Sequence, residues 1–369
     1  MKTYSQHIGL LGHGVVGSGV EQILTKKEIK KILTRHSVED SLFTTNIEDI
    51  LQDKDVDIVI ECIGGEEPAF TYIKQALLAK KHVVTSNKKV MALHAKELYD
   101  LAHKQGVYLG IEACVAGGIP WIHSLQHVRR IDSISSIQGI FNGTTNYILS
   151  SIFQTNRSFI DALHQAQDLG YAEQDPSDDI DGNDIRYKIA LSSMIAFDTI
   201  FPLDSIITYG IRHLSDIEIQ YALENNYILK LIGKADRNHA SVFPTFLKNS
   251  NMLASISSNY NAVQCTSTTL GTSIYVGQGA GSLPTAHSVV QDVKDIENQA
   301  YPTLPSFLEA NVQEDELARF YIRTKNIQTF SSIPHTVLQD NVLITDKIAY
   351  TSIAPYKEDI VFLAEVEND

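Results

Sequence analysis

A short apolar run, His7-Ile8-Gly9-Leu10-Leu11, leads without a gap into Gly12-His13-Gly14-Val15-Val16-Gly17 and an amphipathic stretch ending near Leu24. A strand, a three-glycine turn and a helix in immediate succession admit few folds. The first glycine permits the tight turn, and the second lets backbone approach a pyrophosphate. The third lets helix lie against strand, so that the helix N-terminus faces the phosphates. A glycine turn without a ligand can share this spacing, and the flanking elements are what weigh against it. The alternation continues, with strands expected at Ile29–Leu33, 57–61, His82–Thr85 and 107–111 and helices after Pro68 and at 95–103. The run Ile58-Val59-Ile60 is continuous and β-branched, as parallel strands covered on both faces are. The expected fold class is α/β, a doubly wound parallel sheet over residues 1–123.

Composition narrows the partners. Over 369 residues, 30 Lys and Arg face 44 Asp and Glu, a net charge of −14 with no basic stripe, which argues against nucleic acid and anionic membranes. No stretch reaches the roughly 20 apolar residues of a membrane span. Met1-Lys2-Thr3-Tyr4-Ser5-Gln6-His7 has no apolar signal core, and Cys62, Cys114 and Cys265 are far apart without zinc spacing. A cytoplasmic protein is expected. After residue 123 the pattern changes to helical stretches at 145–153, 159–169 and 181–196, then alternating strands at 227–234 and 241–247. This predicts a second, α+β domain over 124–282, with residues 283–305 returning to the first. Residues 306–369 form a separate tail of short strands.

The second strand ends Ile32-Leu33-Thr34-Arg35-His36, with no acid before Glu39, where an NAD-preferring site usually has one. Arg35 could pair with a 2′-phosphate; a solvated strand-end arginine is the competing reading. NADP or NAD is the expected cofactor. Four polar or glycine-rich stretches follow: Val83-Val84-Thr85-Ser86-Asn87-Lys88-Lys89; Glu112-Ala113-Cys114-Val115-Ala116-Gly117-Gly118-Ile119-Pro120; Gly139-Ile140-Phe141-Asn142-Gly143-Thr144-Thr145-Asn146; and residues 170–188. Segment 173–184 holds six acids and no base, and Asp184 and Lys188 stand i,i+4 on one helical face. An acid there can hold an ammonium while the lysine takes or returns a hydroxyl proton; an isolated pair of this kind would be a surface ion pair. An EF-hand fails, because Ser177 and Lys188 would occupy its end positions. Cys114, between Ala113 and Val115, is read as packing, and the histidines show no metal-ligand spacing.

These four stretches, in this order, resemble the homoserine dehydrogenase family from Gly12 to about Asp292, including Gly279-Ala280-Gly281-Ser282-Leu283-Pro284-Thr285. The resemblance implies a Rossmann domain followed by a catalytic and dimerisation domain. It also implies NAD(P)-dependent interconversion of L-homoserine and L-aspartate 4-semialdehyde, on the route to threonine, isoleucine and methionine. The position matching the catalytic lysine is Lys188, with Lys88 near the nicotinamide. Substrate acids match Glu173 and Asp184, with Asp179 beside them. Cofactor contacts would fall at Gly12, Gly14, Val15, Val16, Gly17, Lys88, Gly170, Glu173 and Gly281. A sodium ion would sit on the carbonyls of Glu112, Val115, Gly117 and Ile119, and the assembly would be a homodimer or tetramer. The alternatives are another amino-acid oxidoreductase on this architecture, or a dinucleotide-binding regulator without turnover. Leu317-Ala318-Arg319-Phe320-Tyr321-Ile322-Arg323 resembles the first strand of an ACT-type module. Only 53 residues run from Leu317 to the end, and no amphipathic helix is evident, so a degenerate module that does not bind threonine is expected.

Overall fold

The computed structural model describes residues 7–24, 28–155, 157–302, 307–310 and 316–367. The leader reading on Met1 to Gln6 and the expected boundary at 305/306 lie outside these residues. Two compact units emerge, one of residues 1–132, 194–200 and 277–308, the other of 133–193, 201–276 and 309–369. Among the described residues, no helix is long and apolar enough to cross a membrane.

The first unit is a six-stranded sheet. Its strands are β1 (Ile8–Leu11), β2 (Ile29–Leu33), β3 (Phe43–Thr44), β4 (Ile58–Glu61), β5 (His82–Thr85) and β6 (Leu109–Gly110). Their order is β3-β2-β1-β4-β5-β6, and every pairing is parallel. This order, reversing beside β1, is the doubly wound pattern, with ligand positions at the carboxyl ends of the strands. β1 and β4 are buried along their whole length because helices cover both faces. The helix Ser282–Glu297 supplies part of that cover, setting Val289 and Val293 against Ile8, Leu10, Ile58 and Ile60.

The helix Trp121–Val128 also belongs to this unit, so the boundary falls at 132/133 and not at 123/124. Trp121 is fully buried, with Ile122 and Leu125 buried beside it. Residues 194–200 join the unit as well: Arg129 donates to the Ile195 carbonyl at 2.5 Å and pairs with Asp198.

The second unit is a mixed, mainly antiparallel sheet. Its main path runs Gly271–Gln278, Tyr260–Ser267, Ile134–Ile140, Tyr227–Ala235, Ala240–Lys248, Ile360–Val366, Arg319–Thr324, Val342–Thr345, His335–Gln339. The tail is thus not a body of its own. Ile360–Val366 pairs in parallel with Ala240–Lys248, placing Thr245 opposite Glu365. Phe243 then shares a core with Phe320, Ile322, Phe330, Leu343 and Leu363. Among the described tail residues there are three short 3-10 turns and no α-helix, so the two helices of an ACT-type module are not built. Phe330 and Ile353, with the partly buried Tyr350 and Tyr356, pack on that core from these turns and do the covering those helices would have done.

Candidate active site

In the first unit the glycine turn is built as its chemistry requires. Gly12 has φ +93°, and a Cβ there would lie 2.8 Å from the Cys62 carbonyl oxygen. A Cβ on Gly17 would lie 2.1 Å from Gly12 O, so only glycine lets the helix Val15–Ile23 close on the turn. Gly14 differs: nothing lies within 4 Å of its would-be Cβ, and no side chain caps the helix it precedes. Open space before uncapped helix N–H groups suits a phosphate. Val15 is 70% exposed, and Val16 packs against the core. Gly281, at φ +124°, precedes Ser282, whose hydroxyl donates to Val15 O at 2.6 Å and brings that turn beside the first. A cleft of about 910 Å³ opens at the ends of β1, β2 and β4, lined by Gly12, Gly14, Leu33, Arg35, Ile63 and Gly64 among others. A dinucleotide fits both the space and the bare backbone. Lys88, half-buried, is the first residue of the helix Lys88–Gln105.

In the second unit Asp184 and Lys188 lie on the helix Asn183–Phe197, 5% and 8% exposed. The i,i+4 spacing does bring them together: Lys188 Nζ donates to Asp184 Oδ2 at 2.7 Å and to the Phe141 carbonyl at 2.7 Å. Asn142 Nδ2 donates to Asp184 Oδ2 at 2.8 Å and to Asp179 Oδ1 at 2.6 Å. Its own Oδ1 accepts from Thr145 N–H, which fixes the amide's orientation. Asn261 Nδ2 donates to Phe141 O at 2.8 Å. Burial raises the Asp179 carboxyl above its ordinary range and Asp184 adds to this, against the pull of Asn142 and Lys188. The cluster is a buried ammonium and two carboxylates on an amide hinge. It is suited to holding an ammonium ligand and moving a proton.

Two family models match the chain: homoserine dehydrogenase over residues 120–293, and the homoserine dehydrogenase NAD-binding domain over 12–112. The homoserine dehydrogenase of Synechocystis sp. is 39% identical over 354 residues, covering 86% of this chain and 82% of that one. That of Neisseria gonorrhoeae is 35% identical, covering 97% and 91%. The crystal structure of a homoserine dehydrogenase from Thiobacillus denitrificans superposes with a TM-score of 0.87 at 31% identity, covering 98% of both chains. The chain belongs to the homoserine dehydrogenase family. It is an oxidoreductase that uses a nicotinamide cofactor.

The remaining expected residues of this dehydrogenase fall in less constrained places. Glu173 is exposed, in the loop after Gly170, whose φ of +74° ends the preceding helix. Gln167 holds that loop through the Glu173 and Gln174 carbonyls, and the Glu173 side chain does not join the buried cluster. At the 112–119 turn, Gly117 O accepts from Ser288 Oγ at 2.7 Å and Ile119 O from Trp121 N–H at 2.7 Å. Each of those carbonyls keeps one further lone pair for an ion. The Glu112 side chain points elsewhere, accepting from Ile122 N–H and His123 N–H at the start of a helix.

Two features escaped the sequence. His123 Nδ1 lies 2.7 Å from Glu112, and its Nε2 lies 3.3 Å from Asp292 and 2.9 Å from Asp295. Burial works against its charge, but hydrogen bonds and attraction from Asp292 and Glu112 prevail and raise it to about 11. This imidazolium ties three acids together, Glu112 with Asp292 and Asp295 from a helix at least 180 residues on. Asn142 is the other. It stands in the 139–146 stretch just before a helix, the one hint that its amide has a fixed task.

Proposed function

We propose that Lys188 moves the proton in the interconversion of L-homoserine and L-aspartate 4-semialdehyde, and that NADP serves at least as well as NAD. The buried Lys188 ammonium, held by Asp184 and the Phe141 carbonyl, carries this reading. A bound nicotinamide would supply the acceptor for the hydride of the carbinol carbon. For that the hydroxyl proton must leave, and neutral Lys188 Nζ receives it. In the reductive direction the ammonium stabilises the developing alkoxide and returns the proton. Asp184, with Asp179, receives the substrate ammonium, and Glu173, outside the buried cluster, meets the substrate from the exposed loop after Gly170. Asn142 keeps Asp184 and Asp179 aligned when Lys188 changes partner.

Gly12, Gly14, Val15, Val16, Gly17, Gly170 and Gly281 meet the cofactor largely through backbone, and Lys88 stands by the nicotinamide. Arg35 lines the cleft at the end of β2, where no acid competes, and would pair with a 2′-phosphate. A monovalent cation such as sodium would take the free lone pairs of the Glu112, Val115, Gly117 and Ile119 carbonyls and brace that turn, with no part in the chemistry. We place the enzyme in the cytoplasm as a homodimer or tetramer. Light scattering should return two or four times 41.0 kDa.

The test is reduced-cofactor formation from L-homoserine with NADP and with NAD. Turnover with homoserine, but not with other amino alcohols, is expected. Undiminished kcat in folded Lys188→Ala would refute the role given to that lysine.

A further inference from the structure

One polar network of the first unit has no part in the steps above. Glu61 closes β4 and Thr85 closes β5, and the parallel register sets them opposite each other. Both are wholly buried. Thr85 Oγ1 donates to Glu61 Oε2 at 2.5 Å, and Glu61 Oε1 accepts from Ile63 N–H at 2.5 Å. Asn87 N–H donates to Thr85 Oγ1 at 2.9 Å. The Asn87 amide returns to the same turn, donating to the carbonyls of Ile63 at 2.9 Å and Gly65 at 2.7 Å. Its Oδ1 accepts from Val90 N–H and caps the helix Lys88–Gln105. The hydrogen bonds close a ring through residues 61, 63, 87 and 85.

A buried carboxyl is a costly way to tie two strand ends, since a neutral group would need far less desolvation. What a carboxylate offers is two acceptor oxygens and no hydrogen. Here each oxygen meets a donor, Ile63 N–H or Thr85 O–H. On protonation the Thr85 hydroxyl, which already accepts from Asn87 N–H, would have to turn its hydrogen away and accept from the carboxyl as well. Burial, opposed by the hydrogen bonds from Thr85, Ile63 and Asn87, pushes Glu61 up to about 7. The titratable neighbours are Cys62 and Cys114. Burial and the Glu61 charge push both thiols up, so they stay neutral, and Lys88 acts in the opposite sense on Cys114.

The backbone held by the ring has two ends of interest. Cys62, Ile63 and Gly64 line the cleft at the glycine turn, and Asn87 sets the start of the helix whose first residue is Lys88. We infer that Glu61 is a positioning residue for cofactor binding, acting through Thr85 and Asn87 to hold the 62–65 turn and the Lys88 helix start. The inference rests on the cofactor reading above, so its test separates the two.

Hydrogen exchange of the Ile63 amide in the cofactor-free enzyme reads the ring alone. Equilibrium titration with NADPH, followed by fluorescence, reads the cleft. In folded Glu61→Gln, Ile63 exchange should rise and NADPH affinity fall, each by at least about tenfold, the equivalent of one hydrogen bond to a charged group. KM for homoserine should stay within about twofold. Thr85→Val should reproduce both changes, and Thr85→Ser, which keeps the hydroxyl, should restore wild-type values. Faster exchange with unchanged affinity would leave the ring intact as a structure and overturn its link to the cofactor. Weaker binding with unchanged exchange would overturn the positioning role. Should Glu61→Gln fail to fold, Thr85→Val and Thr85→Ser supply the measurement: Ile63 exchange and NADPH affinity left unchanged by Thr85→Val would sink the proposal.

Discussion

The cofactor turn of the first unit and the charged cluster of the second are made of different material. The turn is backbone: its geometry depends on the absence of side chains at Gly12 and Gly17, and on helix N–H groups left uncapped at Gly14. The cluster is side chains: Lys188, Asp184, Asp179 and Asn142 hold one another, and each satisfies a charge or amide that burial would otherwise penalise. A backbone site therefore fails through added volume, and a side-chain site through lost groups.

The largest expected effect is at the cluster. Lys188→Ala should lower kcat by about 10²- to 10⁴-fold, the usual contribution of a positioned acid–base group, with KM for cofactor little changed in steady-state kinetics. Asp184→Ala should be worse for the fold, because it strips the carboxylate from a buried ammonium. Chemical denaturation should show a loss of about 3–5 kcal/mol. If Asp184→Ala is as stable as wild type, the cluster is not a mutually dependent unit and the contrast weakens.

At the turn, two glycines give opposite results. Gly17→Ala places a methyl 2.1 Å from Gly12 O, and should cost about 1–3 kcal/mol of stability together with cofactor affinity. Gly14→Ala meets no atom within 4 Å, so its melting temperature should match wild type while NADPH binding is lost. Equal melting temperatures for the two variants would break the distinction between a packing glycine and a ligand-approach glycine.

A smaller effect is expected at the cleft's edge. Arg35→Ala should raise KM for NADP about tenfold, near the worth of one charge-assisted hydrogen bond, and leave NAD unaffected. An equal change for both cofactors would show that Arg35 shapes the cleft and does not pair with the phosphate.

The smallest effect sharpens the comparison from the side of stability. Glu61 titrates near 7 in the fold against an ordinary 4.5. Its contribution to stability is full below about 4.5 and is lost as pH rises through about 7. Glu61→Gln lacks this loss. Its unfolding free energy relative to wild type should therefore climb between pH 5 and pH 8, even as cofactor binding weakens. A difference that stays constant with pH would mean that Glu61 keeps an ordinary carboxyl pKa.

How far each region was legible in the sequence follows from the same contrast. The strand-glycine-helix succession at 8–24 could be read directly, because backbone requirements are written as residue types at fixed spacing. Asp184 and Lys188 were legible as a pair because helical periodicity brings i and i+4 together whatever surrounds them. Asn142 could not be assigned a role, since its partners Asp179 and Asp184 lie some forty residues on and reach it only across the fold. His123 was hidden for the same reason: its acids come from Glu112 and from a helix beginning at Ser282. That the tail is strands, and that its sheet needs cover from the catalytic domain or a partner, could be read; which strand it joins could not, because strand patterning says which face is apolar and not which neighbour it pairs with.

The sequence by itself determined the doubly wound unit, its glycine turn and the acid–lysine pair, all set by local spacing and by what a Cβ excludes. Only the tertiary structure decided where residues 319–366 pair, which amide orients the acids, and that Glu61, Thr85 and Asn87 close a ring. Those are contacts between segments distant in the chain, fixed by sheet register and burial, and no local pattern encodes a partner that the fold alone brings near.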